Sequence, residues 1–128
     1  MRIEHIGIWT SNLEEMKDFY VKYFKAVANL KYENIKKEFQ SYFLTFEDGA
    51  RLELMSTTNL VDRENSMNKL SGLNHFAIKV DTVFAVMKVT ETLRKNGYAV
   101  VGEPRTTGDG YVESIVLDPD GNRLEITK

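Results

Sequence analysis

Glu4-His5-Ile6-Gly7-Ile8 recurs 70 residues later as Asn74-His75-Phe76-Ala77-Ile78, and this repetition organises the whole chain. A second stretch, DGARLEL at residues 48–54, recurs 72 residues later as DGNRLEI at residues 120–126. Because the two stretches keep the same order and nearly the same separation, the chain is predicted to contain two copies of one structural unit.

The first copy has the pattern of a strand, a helix and three further strands. Apolar residues recur at helical spacing between Leu13 and Phe24, and Ser11 with Glu14 has the form of a capping box. A helix is therefore predicted from about residue 12 to residue 24. Alternating polarity and β-forming residues predict strands at 2–9, 26–33, 39–46 and 51–55.

The second copy follows the same plan. Its helix is predicted to follow a cap at Asp81 or Thr82 and to end at Gly97, with buried positions at Phe84, Val86, Met87, Val89 and Leu93. Strands are predicted at 73–80, 98–101, 111–117 and 123–127, with a turn at 118–121 before the last one. The predicted fold class is thus α+β: two tandem βαβββ modules that form curved mixed sheets with the helices on the outer face. The modules are predicted at residues 1–56 and 72–128, joined by a connector at 57–71.

Side-chain alternation along these strands separates an apolar face from a face that carries possible metal ligands. Ile6, Ile8, Leu52 and Leu54 share one face of the first module, where its helix is expected to pack. His5 and Glu53 lie on the opposite face, and His75 with Glu125 occupies the same places in the second module. These are the only two histidines of the chain, and each has a glutamate at the same later position.

Two imidazoles and two carboxylates are a donor set suited to a borderline divalent ion such as Ni²⁺, Zn²⁺, Co²⁺, Mn²⁺ or Fe²⁺. Such an ion acts as a Lewis acid, and a carboxylate beside it can move a proton between adjacent carbons. The alternative is a purely structural arrangement, in which Glu53 or Glu125 pairs with Arg51 or Arg123 and no metal is bound.

Composition narrows the class of function. The 128 residues include 17 basic and 19 acidic side chains that are interspersed, which disfavours nucleic acid and membrane surfaces as partners. The absence of cysteine removes disulfides, thiolate metal sites and a cysteine nucleophile. No apolar run approaches the length of a membrane span and residues 1–9 contain no signal core, so a cytoplasmic protein that acts on a small molecule is expected.

The same residues resemble the vicinal oxygen chelate superfamily, which includes glyoxalase I, bleomycin-resistance proteins, extradiol dioxygenases and methylmalonyl-CoA epimerase. The resemblance covers essentially the whole chain. It is carried by residues 3–8, the helix between Asn12 and Tyr20, residues 73–77 and the closing stretch at 118–125. It implies that the two modules form a single glyoxalase-like domain.

Within that superfamily the set of four possible ligands is most similar to that of glyoxalase I. This resemblance implies that His5, Glu53, His75 and Glu125 bind Ni²⁺ or Zn²⁺. It also implies that Glu125, with Glu53, moves the proton when a methylglyoxal–thiol hemithioacetal becomes a lactoyl thioester through a metal-bound enediolate. An epimerase, an extradiol dioxygenase and a non-catalytic binding or resistance protein are the alternatives. Relatives of this kind often form homodimers with the site at the interface, so a homodimer is expected.

Two positions depart from the pattern of glutathione-dependent glyoxalase I. Those enzymes place an arginine four residues after the first ligand and an asparagine four residues after the second, where this chain has Trp9 and Thr57. A different thiol or substrate is therefore expected. Trp9 and Phe43 are predicted to line an apolar substrate pocket; packing between the modules is the alternative.

Overall fold

A computed structural model of the protein describes residues 1–61 and 71–128. Clustering of contacts divides the chain into two compact units, Met1–Asn65 and Ser66–Lys128. Each unit consists of one mixed β-sheet with one helix packed on it, so the predicted α+β class and the two βαβββ modules are confirmed. Most of the predicted connector, at residues 62–70, lies outside the described residues, and the predicted module boundaries stay a prediction.

The first unit contains a helix, α1 (Leu13–Phe24), and five strands: β1 (His5–Trp9), β2 (Val27–Ala28), β3 (Tyr32–Asn34), β4 (Phe39–Thr45) and β5 (Arg51–Thr57). The sheet order is β1-β5-β4-β2, with β3 also paired to β4. Only β1 and β5 run parallel; the other pairs are antiparallel. A 3-10 turn at Ile35–Lys37 links β3 to β4.

The second unit contains α2 (Val83–Lys95) and four strands: β6 (Phe76–Lys79), β7 (Val100–Thr106), β8 (Val112–Leu117) and β9 (Arg123–Thr127). Its order, β6-β9-β8-β7, matches β1-β5-β4-β2 of the first unit, and β6 runs parallel to β9 as β1 runs to β5. In each parallel pair, one strand begins at or directly after a histidine and the other strand carries a glutamate.

The cores lie where side-chain alternation placed them. Met16, Tyr20 and Leu54 are fully buried between α1 and its sheet, while Leu124 and Ile126 are fully buried beneath α2. The residues between these apolar positions, Glu53 and Glu125, point to the opposite face of their sheets. Neither helix of the described residues has the length and apolarity needed to span a membrane.

Four local predictions differ from the structure, and each difference has a physical reason. The expected single strand at 26–33 is interrupted at Asn29, whose side-chain oxygen accepts a hydrogen bond from the backbone N–H of Phe43 at 2.8 Å. This oxygen takes the place of the backbone carbonyl that a continuous strand would offer. The capping box also fails: α1 begins at Leu13 with Asn12 as its cap, and the Glu14 carboxylate instead bonds Lys31, Lys17 and Tyr42.

In α2, Phe84 and Met87 are 72% and 53% exposed rather than buried. The buried stripe runs through Val86, Thr90 and Leu93 because the Thr90 hydroxyl bonds the Val86 carbonyl and the Ser114 hydroxyl. The strand expected at 98–101 extends to Thr106, since β7 is an edge strand that tolerates Pro104.

Candidate functional site

The first His–Glu pair lies on the parallel pair β1–β5. His5 is level with Arg51 and Gly7 is level with Glu53, so His5 and Glu53 are diagonal neighbours on one face. His5 Nε2 lies 3.6 Å from Glu53 Oε2, and the Glu53 side chain is 17% exposed whereas that of His5 is 40% exposed. The pair is therefore accessible to a small ligand while its carboxylate is largely shielded.

Glu4 fixes the orientation of the His5 ring. Its Oε2 lies 2.6 Å from His5 Nδ1, and its other oxygen accepts from Arg51 Nε at 2.7 Å. The hydrogen bond from His5, followed by those from Arg51, lowers the pKa of Glu4 below its ordinary value, so this carboxylate only accepts. This contact orients the ring so that Nδ1 points to Glu4 and Nε2 points to Glu53.

Aromatic rings border this pair. The Phe43 ring is edge-on to His5, with centroids 5.5 Å apart, and the Arg51 guanidinium lies over its face at 4.2 Å. Trp9 follows Gly7 on the same face of β1, two residues farther along, and is 52% exposed. Its ring is edge-on to that of Phe39, with centroids 6.0 Å apart. Phe43 thus contacts the candidate ligand His5, while Trp9 presents an open apolar surface on the same sheet.

The second pair repeats this geometry. His75 Nε2 lies 3.4 Å from Glu125 Oε2, with side-chain exposures of 39% and 16%. His75 Nδ1 lies 2.9 Å from Asn74 Oδ1, and because Asn74 stands where Glu4 stands in the first copy, the same ring nitrogen is held in both. The acceptor here is a neutral amide instead of a carboxylate.

An open cavity of about 270 Å³ lies beside Glu125, within the second unit. It is lined by polar side chains from the β7–β8 connection and from β8 and β9: Thr107, Asp109, Tyr111, Glu113, Glu125 and Thr127. Burial raises the pKa of Glu125 above the ordinary carboxyl value, and the negative charge of Glu113 adds to this effect. Glu113 itself is held by Arg105, at 2.6 Å. Glu125 is therefore both a candidate ligand and a carboxylate of increased basicity at the wall of a cavity.

Each unit thus brings together two of the four predicted ligands. Within residues 1–61 and 71–128, no group of three or more histidine, aspartate or glutamate side chains has the spacing to hold a metal ion. Sequence reasoning missed the roles of Glu4 and Asn74 and the cavity around Glu113. The roles of Glu4 and Asn74 could have been found, since an acceptor side chain precedes the histidine in both copies. The cavity could not, because it has no counterpart in the repeat that would have revealed it.

The spacing within each pair is compatible with a shared divalent ion. At 3.6 and 3.4 Å, the nitrogen and oxygen are farther apart than hydrogen-bonded atoms. Two ligand atoms that each lie about 2.1 Å from one ion at a tetrahedral angle are about 3.4 Å apart. Metal-binding histidines also have a hydrogen-bonding partner on the ring nitrogen that does not bind the metal, and Nδ1 has such a partner in both pairs.

Comparisons with known proteins agree with this architecture. The sequence profile of the Glyoxalase/Bleomycin resistance protein/Dioxygenase superfamily matches residues 2–126. A Bacillus subtilis (strain 168) protein described as a probable trivalent organoarsenical cleaving enzyme is 30% identical over 129 residues, which cover 98% of this chain and 78% of that protein.

Solved structures of glyoxalase I have a similar fold. The enzyme from Zea mays superposes with a TM-score of 0.80 at 23% identity, over 98% of this chain but only 44% of the maize chain. The trypanothione-dependent enzyme of Leishmania major superposes with a TM-score of 0.76 at 22% identity, over 98% of this chain and 85% of that one. This chain spans less than half the length of the maize protein, and at these identities the likeness shows the fold alone.

Proposed function

Because the chain belongs to the Glyoxalase/Bleomycin resistance protein/Dioxygenase superfamily, we propose that it is a metal-dependent enzyme of the glyoxalase I type. Its substrate would be the hemithioacetal formed from a 2-oxoaldehyde and a thiol, and its product the corresponding 2-hydroxy thioester. The observation that carries the proposal is the duplicated His–Glu pair, in which Nδ1 of each histidine has an acceptor and Nε2 faces a carboxylate 3.4–3.6 Å away.

We propose that His5, Glu53, His75 and Glu125 hold one divalent ion, Ni²⁺ or Zn²⁺ in preference to Co²⁺, Mn²⁺ or Fe²⁺. When bound, the ion supplies positive charge beside the two neighbouring oxygens of the substrate. A homodimer in the cytoplasm, in which one ion is shared by the first pair of one subunit and the second pair of the other, belongs to the same proposal.

Glu125 is the proposed acid–base group. It takes the proton from the carbon attached to sulfur and delivers it to the adjacent carbonyl carbon, while the hydroxyl proton moves from the first oxygen to the second. Burial and Glu113 raise the pKa of Glu125, which makes its carboxylate a stronger base at neutral pH. The cavity beside it gives the reacting carbons access to the carboxylate. Glu53 assists in moving the hydroxyl proton.

Trp9 and Phe43 are the proposed apolar contacts of the substrate. Both side chains lie on the face of the first unit that carries His5 and Glu53. An indole at the place of an arginine offers one N–H donor and no positive charge to a carboxylate, so the thiol is proposed to be one other than glutathione. The dependence of the Leishmania major enzyme on trypanothione supports this choice, since the glyoxalase I fold is not tied to one thiol.

A second candidate is cleavage of a trivalent organoarsenical, favoured by 30% identity to the Bacillus subtilis protein. Trivalent arsenic is a soft centre that binds thiolates, and this chain has no cysteine to supply one. The glyoxalase I-like reaction is therefore the better match to the residues present.

The test begins with purified protein that has been stripped of metal and reloaded with each divalent ion in turn. Isomerisation of methylglyoxal hemithioacetals is then measured with several thiols, and cleavage of a trivalent phenylarsenical is measured in parallel. His75→Ala is the control, because it removes one imidazole of the donor set and is expected to lose metal. Stoichiometric metal without isomerase activity for any thiol would refute the proposed reaction, and release of arsenic would establish the second candidate.

A further inference from the structure

The two copies of the repeat differ in the side-chain partners of the arginine that lies two residues before the candidate ligand glutamate. Arg51 lies two residues before Glu53 and donates from Nε to Glu4 at 2.7 Å. Its guanidinium also covers the ring of Phe43, 4.2 Å from the centroid. The first unit thus gives this arginine both an anion and an aromatic face.

The equivalent residue of the second unit, Arg123, has neither partner. Asn74 replaces Glu4, and Ile115 pairs with Glu125 where Phe43 pairs with Glu53. In the part of the chain that the structure describes, Arg123 forms no ion pair, and its Nε is buried without a hydrogen-bond acceptor. The amide of Asn74 preserves the bond to His75 but brings no negative charge.

Arg123 is half-buried, and a guanidinium whose Nε is buried without an acceptor is an unfavourable arrangement that an anion would relieve. Its planar fork of N–H donors matches a carboxylate, which can accept two parallel hydrogen bonds. The second unit therefore holds a donor that is complementary to an anionic ligand.

Arg123 is well placed to contact the substrate of the neighbouring glutamate. Arg123 and Glu125 project from the same face of β9, with Cα atoms about 7 Å apart along the strand. In the β8–β9 pair, Arg123 is level with Leu117, and Thr127 is level with Glu113. Because Thr127 and Glu113 line the cavity, the cavity lies on the side of Glu125 away from Arg123. An anion at Arg123 would thus lie on the side of Glu125 that faces away from Glu113.

We infer that Arg123 binds a carboxylate on the thiol half of the substrate, an assignment that rests on the proposed glyoxalase I-like function. In a hemithioacetal, sulfur joins the reacting carbon to the chain of the thiol. A short thiol that ends in a carboxylate can reach Arg123 while its reacting carbon lies at Glu125. Arg123 is then a specificity-determining residue that selects acidic thiols over neutral ones.

The test uses the metal-loaded protein and two matched substrates, the methylglyoxal hemithioacetals of 3-mercaptopropionate and of 3-mercaptopropionamide. The pair differs only in charge. Wild type is expected to prefer the acid by about tenfold or more in kcat/KM, as expected for a hydrogen-bonded charge pair. Arg123→Gln is expected to abolish the preference, mainly through KM for the acid, while the amide is turned over as by wild type.

Lys79→Gln is the matched control, because Lys79 is exposed, lies on the same face of the same sheet and carries the same charge. It is expected to keep the preference for the acid. Should Arg123→Gln fail to fold, Arg123→Lys serves instead; it keeps the charge without the fork and is expected to weaken the preference. The inference is overturned by equal rates for acid and amide in wild type, by an unchanged preference in the arginine variants, or by an equal loss in Lys79→Gln.

A binding measurement separates this inference from the proposed function. Two unreactive compounds, 3-(methylthio)propionate and its amide, are compared for their ability to raise the melting temperature of the metal-loaded protein. If no thiol supports isomerisation but only the acid stabilises wild type, and not Arg123→Gln, then the reaction is wrong and the carboxylate site stands. If isomerisation occurs without discrimination between acid and amide, the reaction stands and the carboxylate site is refuted.

Discussion

Replacing Glu125 with glutamine is the most direct test of the proposed chemistry. Glutamine has nearly the same size and leaves the buried neighbours Leu124 and Ile126 undisturbed, but it cannot accept a proton. General base catalysis contributes about 10²–10⁴ in rate, which corresponds to about 2.7–5.4 kcal/mol. The Glu125 side chain is only 16% exposed and its pKa is raised, so the expected loss in kcat/KM is in the upper half of that range, at least about 10³.

The assay follows thioester formation in the ultraviolet at saturating metal, with bound metal measured in the same samples. Metal is expected to be retained in part, because the amide oxygen can still serve as a weaker ligand. Glu53→Gln is the matched comparison: it makes the same chemical change in the other copy of the repeat, away from the cavity, and is expected to lose less activity than Glu125→Gln because Glu53 only assists with the hydroxyl proton. A Glu125→Gln enzyme within tenfold of wild type at equal metal occupancy would refute the role of Glu125.

Two further predictions address assembly and stability. If each site of a homodimer takes one His–Glu pair from each subunit, His5→Ala and His75→Ala proteins that are inactive alone should recover about a quarter of wild-type activity after mixed refolding; sites contained in single chains would give no recovery. Hydrogen bonds from Lys31, and after it Lys17 and Tyr42, lower the pKa of Glu14 to about 2, so Glu14 contributes stability that is present above about pH 4.5 and is lost as the pH falls toward 2. Because Glu14 is 53% exposed, solvent screening limits this contribution to about 1 kcal/mol. Chemical denaturation should therefore find Glu14→Gln less stable than wild type by that amount at pH 7 and nearly equal to it at pH 2; an unchanged difference at both pH values would contradict the assignment.

The fold was predictable because its signals are local. Strand alternation put Leu52 and Leu54 in the core and Glu53 on the other face from sequence alone, and the repeat extended that assignment to Leu124, Glu125 and Ile126. Prediction failed where a side chain replaced a backbone partner, as at Asn29, or where a polar residue was satisfied inside the core, as at Thr90. Such bonds join residues distant in sequence, and periodicity carries no information about them.

The two His–Glu pairs of the candidate site were predictable from sequence, but their surroundings were not. Residue type and position in the repeat suffice to single out His5, Glu53, His75 and Glu125. The partners of Arg51 and Arg123 could not be predicted. In the sequence both arginines are preceded by a glycine-containing turn and followed by Leu-Glu, so the two positions look alike. Only the structure distinguishes the arginine that has an anion and an aromatic ring from the one whose Nε is buried without an acceptor.

The difference between the two copies also bears on whether the His–Glu pairs serve structure or metal binding. If each His–Glu pair were a stabilising ion pair, its nitrogen and oxygen would be expected to lie within hydrogen-bonding distance. A carboxylate next to the histidine would also compete with the glutamate for the imidazole. Instead both pairs stay 3.4–3.6 Å apart, while the acceptor on Nδ1 is a carboxylate in one copy and an amide in the other. What the copies share is therefore the direction of Nε2 and the gap in front of it, and both are compatible with the proposed metal site.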